Sequence, residues 1–112
     1  MMDAKAVTMA RFDVYPNPDP QDAPVVPYFL DIQNDHIKGF KTRVLVPLWR
    51  ADMLSAKFSE LNPEFEVEGT QVIMDTPALG AVAISALKPV VANLSAHQFI
   101  IQNALDALFG GY

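Results

Sequence analysis

Four residues whose side chains could carry out acid–base chemistry lie close together in the chain: Asp31, Asp35, His36 and Arg43. A carboxylate and an imidazole can exchange protons with a substrate while a guanidinium stabilises a phosphate, so this set would suit a nuclease. The other interpretation is an ion pair between Asp31 and Arg43 on neighbouring strands, with Asp35 and His36 in a solvated turn. The spacing of these residues is not diagnostic of catalysis, so we favour the ion pair.

The rest of the sequence offers little further chemistry. It contains no cysteine, and its two histidines, His36 and His97, stand far apart, which argues against a zinc site. Gly39, Gly69 and Gly80 are isolated, so no glycine-rich phosphate loop is present. We therefore expect no cofactor, no metal and no enzymatic activity.

Size and charge set the class of protein. The 112 residues suffice for one domain, and 51% hydrophobic with 19% charged residues is a globular composition. A net charge of −5, with eight Lys and Arg in no cluster, lacks the basic footprint of a nucleic-acid binder. No apolar run reaches the ~20 residues of a membrane span, and the start shows no secretory signal. We expect a cytoplasmic protein with a disordered extension over 1–9 and a single domain over 10–112.

Alternating apolar and polar residues predict several short strands separated by turns. Pro16–Pro24, with four prolines, predicts an exposed loop, and Pro47 favours an edge or a bulge in the third strand. The apolar run Ala81–Leu87 suits a buried strand or a helix, and we choose the strand. Short connections imply antiparallel pairing. The other predicted strands are 11–15, 28–33, 42–48 and a hairpin of 64–68 with 71–76 around Gly69-Thr70.

The end of the chain has the clearest helical pattern. Apolar residues recur at i, i+3, i+4 and i+7, which predicts one buried face on a helix from about Ala96 to Phe109 that ends at Gly110. With strands first and one helix last, we expect a mainly β protein, a curved antiparallel sheet packed by a C-terminal α-helix. The residues of the buried face are Ile101, Ala104, Leu105 and Leu108.

The first turn of this helix carries two further patterns. Ser95 and Gln98 have the spacing of a capping box, and Leu94 and Phe99 have that of a hydrophobic staple. Phe99 falls on the polar side of the helix, so its alternative interpretation is an aromatic on a recognition surface. Ile100 lies beside it and would widen an apolar patch there.

Four segments, in this order, resemble the CcdB family, the toxins of plasmid and chromosomal toxin–antitoxin pairs. The resemblance runs from Met9 to Tyr112 and implies a homodimer with a barrel-like antiparallel sheet, an SH3-like barrel similar to the fold of the MazF ribonuclease. The segments are Arg-Phe-Asp-Val-Tyr (Arg11–Tyr15), Pro-Tyr-Phe-Leu-Asp-Ile-Gln-Asn-Asp (Pro27–Asp35), Thr-Arg-Val-Leu-Val-Pro-Leu (Thr42–Leu48) and Val-Ala-Asn-Leu-Ser (Val91–Ser95).

The resemblance also implies partners. CcdB-like toxins are not enzymes; they bind the A subunit of DNA gyrase, trap its cleaved-DNA complex, and are neutralised by a CcdA-like antitoxin whose disordered tail folds over them. The best-known family pattern ends Trp-Gly-Ile, whereas this chain ends Gly-Gly-Tyr, which removes a large aromatic anchor. The residues implied for gyrase binding are Gly110, Gly111, Tyr112, Asp106 and Asn103, and those implied for antitoxin binding are His36 and Ile37. We add Phe99 to the antitoxin-binding residues because of its place on the polar side of the helix.

Two alternatives to a gyrase poison stay open. One is a MazF-like endoribonuclease that uses Asp31, His36 and Arg43, and the other is a diverged, non-toxic family member that keeps antitoxin binding. We further expect the dimer to use the third strand and the base of the terminal helix.

Overall fold

The computed structural model describes residues 9–35, 39–55 and 57–110. The expected N-terminal extension, apart from Met9, lies outside these residues. None of the helices that the structure describes is long and apolar enough to span a bilayer. The elements in the described residues are seven strands and one α-helix: β1 (Asp13–Pro16), β2 (Tyr28–Asp31), β3 (Thr42–Arg50), β4 (Glu64–Val67), β5 (Thr70–Met74), β6 (Gly80–Ala83), β7 (Ala92–Asn93) and α1 (Gln98–Phe109).

The strands form one antiparallel sheet that curves into a nearly closed barrel. Its order is β4-β5-β3-β2-β1-β7, and β6 pairs with β3 beside this path. The alternating apolar residues of the strands point into the barrel, where α1 covers them with Ile101, Ala104 and Leu105. The predicted fold class, a mainly β barrel with a C-terminal helix, is therefore confirmed.

β3 organises the sheet, because it pairs along both of its sides. One side pairs with β2, and the other pairs first with β6, up to Leu45, and then with β5, from Leu48. Pro47 lies between these two partners, and its carbonyl accepts a hydrogen bond from the Asp75 N–H at 3.0 Å. The expectation that Pro47 marks an edge or a bulge is therefore wrong. Proline is tolerated inside the sheet here because the change of partner strand requires no donor at that position.

The predicted hairpin of β4 and β5 is confirmed, with its turn one residue earlier than expected. Glu68 and Gly69 form the two-residue connection, and both have positive φ, 51° and 80°. This is the backbone of a type I′ turn, whose twist matches that of the flanking strands. This short turn joins β4 to β5 at one end of the strand order.

The body of α1 follows the prediction, but its start does not. A 3-10 turn, Ser95–His97, precedes the helix, and no side chain caps either segment. The Ser95 N–H instead donates to Asn93 Oδ1 at 2.8 Å, so the capping box is wrong. Leu94 is buried whereas Phe99 is 75% exposed, so the expected staple is also wrong. Gly110 ends the helix with φ 72°, as predicted.

The apolar run after β5 is a strand only in its first half. β6 ends at Ala83, and a 3-10 turn, Ile84–Ala86, follows. Ala81 and Ala83 are exposed, so the expectation of a buried strand is wrong. Within the described residues β6 pairs only with β3, which leaves its outer edge open. The chain thus presents apolar side chains beside an unpaired strand edge.

Candidate functional site

Two of the four residues proposed for acid–base chemistry, Asp31 and Arg43, form a buried ion pair. Arg43 Nε donates to Asp31 Oδ2 at 2.7 Å, and Arg43 Nη2 donates to Asp31 Oδ1 at 2.9 Å. Asp31 is 0% exposed and Arg43 is 6% exposed. The carboxylate of Asp35 lies 3.8 Å from Arg43 Nη2 at the surface. The ion-pair interpretation is therefore confirmed, and the pair links β2 to β3.

Burial and ion pairing have opposite effects on the pKa values of Asp31 and Arg43. Burial raises the pKa of the Asp31 carboxyl, although hydrogen bonds from Arg43 and from the Gln33 N–H act in the other direction. Burial would lower the pKa of Arg43, but its hydrogen bonds to Asp31 outweigh burial and raise it. A buried charge needs its partner. Asp31 and Arg43 consequently satisfy each other and are not presented to a substrate, while His36 lies outside the described residues.

Tyr15 completes the buried polar cluster, and no pattern in the sequence indicated that it would. The side chain is 1% exposed, and its hydroxyl has no hydrogen-bond partner within the described residues. Burial raises the pKa of this phenol, and the nearby carboxylates of Asp31 and Asp13 raise it further. The hydroxyl therefore stays protonated at neutral pH. Among the described residues no group of three or more His, Cys, Asp or Glu could hold a metal ion.

The exposed side of α1 brings together all four of the residues predicted for partner binding that the structure describes. Phe99, Asn103, Asp106 and Gly110 are spaced i, i+4, i+7 and i+11, which places them on one face at 3.6 residues per turn. All four are exposed. We call this face, from Phe99 to Gly110, the helix stripe. Four other implied residues, His36, Ile37, Gly111 and Tyr112, lie outside the described residues.

A shallow groove lies beside the helix stripe. It has a volume of about 260 Å³ and separates the first half of α1 from the loop before β4. The helical periodicity predicted that Ile100 would be part of an exposed apolar patch. Nothing in the sequence indicated that it would lie next to the loop before β4. We call this feature the helix groove; its lining residues are Ser59, Glu60, Pro63, Ile100 and Asn103.

A second exposed apolar region surrounds β6 and the segment after it. Ala81, Ala83 and Val90 are exposed, and Ile84 and Leu87 are half-buried. We call this region the 80–90 face. Beside it runs an apolar groove of about 400 Å³, lined by Met9, Tyr15, Ile84, Leu87, Lys88, Pro89 and Val90.

The nearly closed antiparallel barrel with a C-terminal helix is the fold that the resemblance to the CcdB family implied. The comparison with protein families is more specific: the family described as CcdB protein matches residues 11–111, and the chain belongs to the CcdB family. Membership implies the toxin of a toxin–antitoxin system, in a family of gyrase poisons rather than classical enzymes.

Proposed function

We propose that this chain is the toxin of a type II toxin–antitoxin module that binds the A subunit of DNA gyrase and traps its cleaved-DNA complex. The observation that supports this most directly is the helix stripe. Its polar residues Asn103 and Asp106 lead to Gly110, where the left-handed backbone ends the helix. An exposed helix face next to the chain terminus can enter a groove of a larger protein without any catalytic group.

The proposed antitoxin surface begins on the same helix. Phe99 is an exposed aromatic at the far end of the helix stripe from Gly110, and a large aromatic is a common anchor in protein interfaces. His36 and Ile37 are the second part of the proposed surface. A CcdA-like antitoxin that contacts Phe99 would cover the helix stripe from its N-terminal end.

We further propose that the active form is a cytoplasmic homodimer that assembles through the 80–90 face. The third strand stays a prediction as part of the interface, but β3 is paired on both sides and only two of its nine residues are exposed, so we place the main interface on β6. β6 has both requirements of an interface, exposed apolar side chains and an open edge. The expected contribution of the base of α1 stays a prediction.

The test of the proposed function is induced expression of the full chain and of a chain that ends at Phe109. We expect the full chain to arrest growth and to accumulate covalent gyrase–DNA complexes, and the shortened chain to do neither. The helix keeps its core residues in the shortened chain, so its circular dichroism and melting temperature should stay close to those of the full chain. Glu66→Gln, an exposed change on β4, serves as the toxic control.

Three outcomes would redirect the assignment. Equal toxicity after the deletion would remove the terminus from the mechanism. Cleavage of single-stranded RNA by the purified protein would favour the ribonuclease alternative. A full chain that is harmless but still binds the antitoxin would identify the diverged, non-toxic member.

A further inference from the structure

The helix groove combines an apolar wall with an unpaired acid. Ile100 supplies the apolar surface, since it is 51% exposed although it is a large aliphatic residue, whereas Pro63 lines the groove but is buried. The carboxylate of Glu60 forms no hydrogen bond or ion pair within the part of the chain that the structure describes. Exposed apolar surface beside a free carboxylate suits a ligand that is aliphatic along its stem and cationic at its head.

Electrostatics around the helix groove favour a cation over a neutral group. Lys57 is the nearest basic residue in sequence, and it is paired with Glu64 at 3.6 Å. Asp106 is the only charged residue of α1, so the helix adds a negative charge and no positive one. The surroundings of Glu60 therefore carry an excess of negative charge.

Two exposed aromatics flank the helix groove along the chain. Phe58 precedes the lining residue Ser59, and Phe99 precedes Ile100; their side chains are 69% and 75% exposed. A guanidinium is planar, can pair with a carboxylate through two hydrogen bonds, and lies favourably over an aromatic ring. An ammonium also interacts with an aromatic face, but it cannot form the planar pair of hydrogen bonds with a carboxylate, which distinguishes arginine from lysine at this position.

We propose that the helix groove receives an arginine side chain of the antitoxin, with its stem on Ile100 and its guanidinium on Glu60. This inference rests on the proposed function for the identity of the partner. A second copy of the chain is a poor source of the arginine. Of its three arginines, Arg43 is buried against Asp31 and Arg50 pairs with Asp52 at 3.2 Å. The third, Arg11, has a buried Nε, and its guanidinium lies over the ring of Phe12.

The first experiment tests the groove without the antitoxin. The purified ¹⁵N-labelled protein is titrated with N-acetylarginine amide and, at equal ionic strength, with the neutral isostere N-acetylcitrulline amide and with N-acetyllysine amide. We expect arginine-specific shifts at the amides of Ser59, Glu60 and Ile100, with a dissociation constant on the order of millimolar. Glu60→Gln should weaken the binding roughly fivefold to tenfold, whereas Glu66→Gln should leave it unchanged.

Two results of this titration would overturn the inference. One is that citrulline shifts these amides as strongly as arginine, and the other is that none of the probes shifts them at millimolar concentration. Equal binding of lysine and arginine would also contradict the assigned guanidinium geometry.

The second experiment tests the partner. When the toxin is coexpressed with its antitoxin, Glu60→Gln should escape neutralisation at antitoxin levels that silence the unmodified chain and Glu66→Gln. Neutralisation of Glu60→Gln at the same levels would remove the antitoxin as the source of the arginine. A failure of gyrase poisoning itself would leave the peptide-probe result standing, so the two proposals fail separately.

Discussion

At the scale of single residues, Asp31 and Arg43 depend on each other, because each is buried and each satisfies the charge of the other. We predict that Arg43→Met lowers the free energy of unfolding by about 3–5 kcal/mol at pH 7, since it leaves a carboxylate buried without a partner. Loss of Arg43 also removes a hydrogen bond that lowers the pKa of Asp31, so that pKa rises further. Urea unfolding at several pH values measures both effects.

The higher pKa of Asp31 in Arg43→Met determines how the stability of this variant depends on pH. An acid whose folded-state pKa lies above its unfolded value binds a proton more readily when folded, so it destabilises the fold as pH rises through that pKa. The deficit of Arg43→Met should therefore be largest at neutral pH and shrink toward pH 4. The double variant Asp31→Leu/Arg43→Met should recover much of the loss at pH 7. A deficit that is constant with pH would contradict this explanation.

Tyr15 allows a second prediction at the same scale. Tyr15→Phe removes a buried hydroxyl that has no hydrogen-bond partner among the described residues, so at pH 7 stability should change by less than about 1 kcal/mol. Burial raises the pKa of this phenol above its unfolded value of about 10, so the folded state loses stability as pH rises above that value. Urea unfolding from pH 8 to 11 should show that the unmodified chain loses up to about 1.4 kcal/mol per pH unit relative to Tyr15→Phe. Parallel pH profiles of the two proteins would refute the assignment.

The sequence predicted the proximity of Asp31 and Arg43 but not their burial. Proximity follows from two short antiparallel strands joined by a turn. Burial depends on what covers the outer face of the sheet, and charged side chains are seldom fully buried. Tyr15 was not recognised for the same reason, because the segment that contacts it is distant in sequence.

At the scale of elements, periodic burial was predictable and element ends were not. The buried face of α1 follows from the spacing of Ile101, Ala104 and Leu105, which every turn of the helix repeats. The start of the helix depends on local hydrogen bonds that the spacing of apolar residues does not determine. Here the Ser95 N–H donates to the side chain of Asn93, two residues earlier, and the capping box does not form. The exposure of β6 was likewise not predictable, because it depends on whether another element of the fold packs against this strand.

The two faces of α1 should respond differently to truncation of a side chain to alanine. Phe99→Ala removes an exposed ring, so we expect a stability change within about 0.5 kcal/mol and a marked loss of antitoxin affinity. Leu105→Ala removes buried contacts and should cost about 2–5 kcal/mol. Thermal unfolding and calorimetric titration with the antitoxin measure the two effects. Phe99→Ala that unfolds easily, or that binds the antitoxin normally, would contradict the assignment of Phe99 to the surface for partners.

At the scale of the whole molecule, the apolar residues inside the barrel are buried, whereas those of the 80–90 face are partly exposed beside an unpaired strand edge. Exposed alanine and valine beside an open strand edge are a typical site of association, and this chain has no charged residue between Gly80 and Leu87 to prevent it. The sequence pattern alone could not distinguish such a surface from a buried strand, since both are apolar. The groove beside the 80–90 face shares no lining residue with the helix groove.

Ala81→Glu tests this association directly. The new carboxylate would be desolvated in the proposed interface without a partner, so we expect a dimer of the unmodified chain to become a monomer at micromolar concentration, as measured by light scattering during size-exclusion chromatography. Gln71→Glu, at an exposed position near the start of β5, adds the same charge away from β6 and should leave the dimer intact. Circular dichroism should show that both variants keep the barrel, because neither side chain lies in its core. If Ala81→Glu stays dimeric, the 80–90 face is not the interface, and the base of α1 becomes the next surface to test by the same substitution.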